Sequence, residues 1–162
     1  LTASIPPNGY LLVLRSNSTA ASMLTVGTVL RLETATIPAA FSRFQQIIAA
    51  GPLLLQNRQI VLNPQIEKFS SAFAIEQANR SAIGQTVDGS LLIVAVHTDL
   101  NGNGATLTDI AQILQQLGAV DALNLDGGSS TTLYLGGQLL DRSPRTAARV
   151  HDGIGVFIQP DR

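Results

Sequence analysis

The alternation of apolar and polar positions divides this chain into short β segments and a few amphipathic helical stretches. After the turn cluster Pro6-Pro7-Asn8-Gly9, the run Tyr10-Leu11-Leu12-Val13-Leu14 has strand length and composition. Between Thr28 and Thr36, Val29, Leu30 and Leu32 are interrupted by Arg31 and Glu33, which predicts a second strand. Pro38 stands where a first helical turn tolerates it, and Phe41, Phe44, Ile47 and Ile48 recur at helical spacing before Gly51, so a short helix is expected there. Leu53-Leu54-Leu55 and Ile60-Val61-Leu62, separated by Gln56-Asn57-Arg58, predict a hairpin. Residues 63–80 carry mixed signals and read as loop with some helix.

The pattern sharpens further on. Leu91-Leu92-Ile93-Val94-Ala95-Val96 reads as a buried strand, followed by a polar loop from His97 to Gly104. A helix is predicted next, capped by Thr106 or Thr108, with Leu107, Ile110, Ala111, Leu114 and Leu117 on one face and Gly118 as its stop. Ala122-Leu123-Asn124-Leu125 follows as a strand that runs directly into Asp126. Thr131 to Leu135 and Gln138 to Leu140 pair across Gly136-Gly137, a dipeptide able to take the positive backbone angles of a two-residue turn. Ile154 to Ile158 supplies a closing strand. Strand, helix, strand over 91–125 implies one crossover unit, while the hairpins argue against a purely parallel sheet. The expected architecture is α+β: one domain over residues 1–162, with a mixed sheet, hairpins and two or three packed helices.

Composition narrows the partners. Charged residues make up only 13% of the chain and the net charge is −1, without a block of like charges, so no nucleic-acid partner is expected. No apolar run approaches the roughly 20 residues needed to span a bilayer. With no Cys, disulfides and thiolate metal sites are excluded. All the basic residues except Lys68 are Arg, the side chain whose planar fork grips phosphate bidentately.

The chemistry concentrates at Asp126-Gly127-Gly128-Ser129-Ser130. Alternation along the strand is expected to point Asn124 and Asp126 one way and Leu123 and Leu125 into the core, which delivers a carboxylate to a strand end. Gly127 and Gly128 allow close approach of a ligand, and Ser129, Ser130, Thr131 and Thr132 add hydroxyls and backbone N–H groups. Such a set suits an anionic or hydroxyl-rich ligand. The plain alternative is a tight turn between two strands.

Read with Leu107-Thr108-Asp109-Ile110-Ala111 and Leu117-Gly118-Ala119, the stretch Ala122-Leu123-Asn124-Leu125-Asp126-Gly127-Gly128-Ser129-Ser130 resembles the phosphodiester glycosidase (uncovering-enzyme-like) family. Gly51-Pro52-Leu53-Leu54, Arg80-Ser81-Ala82-Ile83-Gly84 and Arg149-Val150-His151-Asp152-Gly153-Ile154-Gly155-Val156 resemble further signatures of that family in the same order. The resemblance implies a hydrolase of carbohydrate metabolism that cleaves a bond between a sugar and a phosphodiester, with a small sugar-phosphodiester substrate. It also implies an extracytoplasmic, periplasmic or secreted setting. In that chemistry Asp126 is the carboxylate that activates water or supports charge on the sugar, while Arg80 and Arg149 are the cations at the phosphate. His151 stands in the same stretch as Arg149 and joins them as a catalytic candidate. Asn124, Gly127, Gly128, Ser129, Ser130 and Arg145 are the substrate-binding candidates, with Arg142 and Arg145, which flank Pro144, both ranked below Arg80 and Arg149. One departure stands out: an Asn-Gly segment with following aromatics, usual upstream in the family, is missing before Ile5-Pro6-Pro7-Asn8-Gly9. The resemblance therefore implies an upstream fragment of the same precursor as a partner.

Asp99-Leu100-Asn101-Gly102-Asn103-Gly104 matches the first half of a calcium loop, with oxygen donors on Asp99, Asn101 and Asn103 and Gly in sixth place. The second half fails, since Ile110 occupies the place of the bidentate Glu. Calcium is accordingly the one cofactor the sequence raises. His97 and His151, the only imidazoles, are each a general acid or base or a structural residue. Two further readings compete. One is a non-catalytic module that binds sugar phosphates. The other is a dimeric aspartic-protease-like enzyme, which would need two chains because only one Asp-Gly-Gly-Ser loop is present.

Overall fold

The computed structural model describes residues 4–99, 101–150 and 152–158. The chain falls into two compact units, one ending at Ile47 and the other beginning at Ile48. In the first unit, helix α1 (Ser18–Met23) is capped by the Asn17 side chain, which accepts from the Ala20 N–H at 3.0 Å. A 3-10 turn covers Ala39–Arg43, with Phe41 and Phe44 in edge-to-face contact. The strands expected at 10–14 and 28–36 do not form, and the helix expected through Ile48 shortens to that turn. The reason is burial. Tyr10 is 84% exposed and Val29 95%, so the apolar positions that would fix a strand's register have nothing to pack against within the unit.

The second unit is an α+β fold, as expected. Strands β1 (Leu53–Gln56) and β2 (Gln59–Ile60) form the predicted hairpin, turning at Asn57 and Arg58, both with positive φ. The stretch after it holds helix α2 (Ser71–Ile75), capped by the Ser70 hydroxyl, which accepts from the Phe73 N–H. Then come β3 (Arg80–Thr86), β4 (Leu91–Val96), α3 (Leu107–Gln116) and β5 (Ala119–Asn124), and finally the small hairpin of β6 (Tyr134–Leu135) and β7 (Gln138–Leu139). Gly136 and Gly137 take φ of 59° and 88° at its turn, which only glycine does without strain. The closing strand expected at 154–158 is absent, and Val156, Phe157 and Ile158 stand exposed.

The main sheet runs β2-β1-β5-β3-β4, and every pairing in it is antiparallel. The mixed sheet expected from sequence is therefore corrected. The crossover does exist: β4, α3 and β5 form a connection over β3, so the two strands it joins run the same way without touching. Helix α3 starts with a capping box, in which the Thr106 hydroxyl accepts from the Asp109 N–H and the Asp109 carboxylate accepts from the Thr106 N–H. It ends before Gly118, whose φ is +90°.

One face of the sheet carries the core. Leu107, Ile110, Ala111 and Leu114 of α3 pack on Leu54, Leu55, Ala82, Ala119 and Ala122. Burying each large side chain in that set stabilises the fold by about 1.5–3 kcal/mol. The strand residues beneath the helix are small because α3 lies close to the sheet: a Cβ on Gly84 would stand 3.2 Å from Leu114 Cδ2 and 3.2 Å from the Ala119 Cβ. The opposite face is open. Leu53, Ile83, Leu91 and Leu123 line a depression of about 280 Å³ there, and none of residues 126–130 contributes to it.

This layering reverses the expected facing of β5. Ala122 and Asn124 lie on the buried side, Asn124 only 1% exposed, whereas Leu123 is half-buried on the open side. A polar side chain can take the inward position because its amide donates to the Gly51 and Leu125 carbonyls, both at 2.9 Å.

Candidate active site

Strand β5 is central in the sheet, and the chain leaves it at the end where β3 begins and β4 finishes. The Leu125 N–H donates to the Ser81 carbonyl at 2.8 Å, carrying the β3 pairing one step past the strand end and setting Asp126 beside Arg80 along the backbone. Asp126 is exposed, and its Oδ1 accepts from the Gly127 N–H at 3.0 Å. Gly128–Ser130 then form a single 3-10 turn, with Gly128 at φ +61°.

Two groups hold this loop. On one side is Asn79, which the sequence did not single out. Its carbonyl accepts from the Gly128 N–H at 2.8 Å, its amide donates to the Gly128 carbonyl at 3.4 Å, and its Oδ1 accepts from the Thr98 N–H at 2.9 Å. Asn79 thus ties the loop after β5 to the loop after β4. The fit is close: a Cβ on Gly127 would lie 2.8 Å from the Asn79 carbonyl oxygen, so only glycine is accommodated without a shift.

On the other side is the segment from Asp141 to Arg149. The Ser129 carbonyl accepts both from Arg142 Nη1 at 2.6 Å and from the Ala148 N–H at 3.1 Å. Arg149 follows directly and is exposed, as is Arg145 in the turn Pro144–Thr146. Asp141 reaches back to the end of β4, where its Oδ2 lies 2.6 Å from His97 Nε2. Burial pushes the Asp141 carboxyl up, but hydrogen bonds from the Leu133 N–H and the His97 ring outweigh it and hold the group below its usual value. Four buried polar atoms around this loop have no hydrogen-bond partner among the described residues: Asn124 Oδ1, Thr131 Oγ1, Asp141 Oδ1 and Arg142 Nε.

Arg80 has a different geometry from the one its motif suggested. It is 2% exposed, its Nε donates to the Ala105 carbonyl at 3.0 Å, and its Nη2 donates to the Glu76 carbonyl at 2.6 Å and to that of Phe73 at 3.5 Å. The guanidinium also lies 4.9 Å from the Phe73 ring centroid. These bonds commit it to main-chain carbonyls beneath the loop, in place of an open phosphate fork. The sequence signal was an Arg opening a family-like stretch, and such a signal does not tell a buried clamp from an exposed cation.

The structure thus gathers Asp126, Gly127, Gly128, Ser129, Ser130, Arg149 and, beneath them, Asn124 and Arg80. It adds Asn79 and Asp141, which the sequence did not single out, and brings in His97 and Arg142 beside them. His151 lies outside the described residues. The loop at Asp99 is closed by its own chain: Asp99 Oδ1 accepts from the N–H groups of Asn101 and Asn103, and Oδ2 accepts from the Asn103 amide. The Asn103 bonds are the main reason its carboxyl sits below the usual value, against a small opposing effect of burial. That is the pattern of an Asx turn. Among the described residues, no three His, Cys, Asp or Glu side chains cluster to hold a metal ion.

The phosphodiester glycosidase family model matches residues 2–157. The chain belongs to the phosphodiester glycosidase family. A mouse N-acetylglucosamine-1-phosphodiester alpha-N-acetylglucosaminidase is 30% identical over 105 residues, covering 59% of this chain and 20% of the mouse protein. The bovine enzyme of the same name is 37% identical over 60 residues, 37% of this chain and 11% of its own length. Among solved structures, a hypothetical protein from Synechocystis is 55% identical with a TM-score of 0.69, covering 84% of this chain and 25% of that one. The zebrafish N-acetylglucosamine-1-phosphodiester alpha-N-acetylglucosaminidase catalytic domain, auto-inhibited by its pro-peptide, is 28% identical with a TM-score of 0.53, covering 58% of this chain and 34% of that one. This phosphodiester glycosidase chain therefore spans only a fifth to a third of the mouse, Synechocystis and zebrafish relatives. No helix among its described residues is long and apolar enough to cross a membrane.

Proposed function

We propose that this chain carries the carboxylate-bearing part of a hydrolase that cleaves the bond between a sugar's anomeric carbon and a phosphodiester. The observation that carries the reading is the Asp126-Gly127-Gly128-Ser129-Ser130 loop, set at the end of the central strand and held from both sides by Asn79 and by the Arg142–Ala148 segment. A loop held at both flanks presents its carboxylate in a fixed place, which electrostatic support of a transition state requires.

In this reading Asp126 supports the positive charge that develops on the sugar as the glycosidic bond breaks. The exposed Arg149 and Arg145 neutralise the phosphate oxygens, and Gly127, Gly128, Ser129 and Ser130 bring hydroxyls and close backbone to the ligand. Asn124 and Arg80 act from below, holding the strand end and the backbone next to it. The relatives' names point to N-acetylglucosamine-1-phosphodiesters as the substrate class. An extracytoplasmic site of action and completion of the centre by an upstream fragment of the same precursor belong to the same proposal.

The test is release of free sugar from the methyl ester of N-acetylglucosamine α-1-phosphate, incubated with the chain alone and with such a fragment. Asp126→Asn keeps size and hydrogen bonding and removes the charge, so it should reduce turnover at least a hundredfold without changing the melting temperature. Sugar release by Asp126→Asn at the wild-type rate would remove the carboxylate from the mechanism. Tight binding of the ester without release in either preparation would make the chain a sugar-phosphate binder.

A further inference from the structure

We propose that His97, oriented by Asp141, is the base that takes the proton from the attacking water in this site. The proposal rests on the hydrolase reading above and adds a second group to it, one that lies outside the Asp126 loop.

Position comes first. The β3–β4 register pairs Arg80 with Val96, so one further step sets Asn79 opposite His97, and the Thr98 N–H bond to Asn79 Oδ1 fastens that step. On its other edge Asn79 faces Gly127 and Gly128 through the bond from the Gly128 N–H. His97, Asn79 and Gly127 therefore stand in a row across three strand ends. With strands about 4.8 Å apart, the backbones of His97 and Gly127 are roughly 10 Å from each other. The His97–Asp141 pair therefore borders the loop that carries Asp126, with Asn79 between them.

Orientation comes second. The Asp141 side chain is 7% exposed and that of His97 is 21% exposed. The carboxylate is thus sheltered while the ring still meets solvent. With Asp141 at Nε2, the proton of the neutral ring is held on Nε2, and Nδ1 is left with its lone pair free to accept. The arrangement continues into the substrate loop, because Arg142, the neighbour of Asp141, donates to the Ser129 carbonyl. One short segment therefore orients the base and braces the loop.

The step balances. As water attacks the anomeric carbon, one of its protons passes to His97 Nδ1. The bond from that carbon to the bridging oxygen breaks, and its electron pair leaves on the phosphate. The products are the free sugar, a phosphomonoester dianion and a protonated imidazole, which then returns its proton to solvent.

The experiment compares the wild type with His97→Gln, His97→Gly, Asp141→Asn and Asp126→Asn on the same methyl ester, in whichever preparation, chain alone or with the upstream fragment, releases sugar. His97→Gln should lower kcat by about 10²–10⁴-fold with KM nearly unchanged. Added imidazole should restore part of the turnover of His97→Gly. Asp141→Asn should lower kcat and abolish the Nε2–H preference in the ¹⁵N spectrum of the His97 ring. Normal kcat in His97→Gln beside a dead Asp126→Asn overturns the base and leaves the hydrolase standing. Loss of turnover that imidazole does not restore, or that tracks a lowered melting temperature in these variants, assigns His97 to structure and overturns the proposal. A wild-type chain that releases no sugar in either preparation overturns the hydrolase reading, and the base falls with it.

Discussion

Replacing Arg80 by Met tests whether this guanidinium serves the fold or the ligand. Methionine keeps the length and much of the volume and removes every donor. Two strong bonds are lost, from Nε to the Ala105 carbonyl at 3.0 Å and from Nη2 to the Glu76 carbonyl at 2.6 Å; the 3.5 Å contact to Phe73 is at the limit of a hydrogen bond. Bonds to charged groups contribute about 1.5–3 kcal/mol each, and buried carbonyls left without donors cost more than the bonds alone. Removing the cost of burying the charge, together with the packing of the new apolar side chain, offsets roughly 1 kcal/mol of this. The expected loss is about 3–5 kcal/mol, measured by urea unfolding, with a melting temperature lower by roughly 10 °C. Below the new transition, KM for the phosphodiester should be close to that of the wild type. A stability loss under about 1 kcal/mol combined with a large rise in KM would refute the reasoning and make Arg80 a phosphate ligand.

Two other perturbations address the loop and the helix. Gly127→Ala places a methyl 2.8 Å from the Asn79 carbonyl oxygen and should cost about 1–3 kcal/mol; turnover should fall with it because Asp126 must move, and wild-type stability by thermal melting would contradict the close approach. Thr106→Ala removes one half of the α3 capping box and should cost about 1 kcal/mol. The Asp109 carboxyl, held below its usual 3.8 by the Thr106 N–H and hydroxyl against a small effect of burial, contributes stability that is present above that value and is lost as pH falls through its lower folded value. The melting-temperature gap between wild type and Asp109→Ala should therefore close on acidification, and a gap that stays constant to pH 2 would rule the linkage out.

Legibility from sequence followed how far each signal depends on distant residues. The β1–β2 hairpin, β4, α3 with its Thr106 cap, and the Gly136-Gly137 turn were readable because apolar spacing, capping and turn chemistry are local. Strand β3 was not assigned, although it lies between β5 and β4, because its buried positions are Arg80, Ala82 and Gly84. The small Ala82 and Gly84 reflect the closeness of α3, and the buried Arg80 reflects the distant carbonyls that accept from it; both are tertiary demands with no periodic mark. The facing of β5 was misjudged for the same reason: Asn124 turns inward only because the Gly51 carbonyl, far away in sequence, is there to accept from it. Of the candidate site, the Asp126 loop and Arg149 were singled out through motif context. Asn79, His97 and Asp141 come together through register and chain return, and nothing in their local sequence announces it.

The position of β5 has a consequence for how the chain is made. It is the last of the five sheet strands in sequence, yet it lies in the interior of the sheet, between β1 and β3. Until residues 119–124 have emerged during synthesis, β1–β2 and β3–β4 are two separate ribbons, each showing an unsatisfied edge of the kind that invites wrong partners. The strand that delivers the acidic loop is also the wedge that joins the ribbons, so a nascent chain halted before it has neither a closed sheet nor the Asp126 loop.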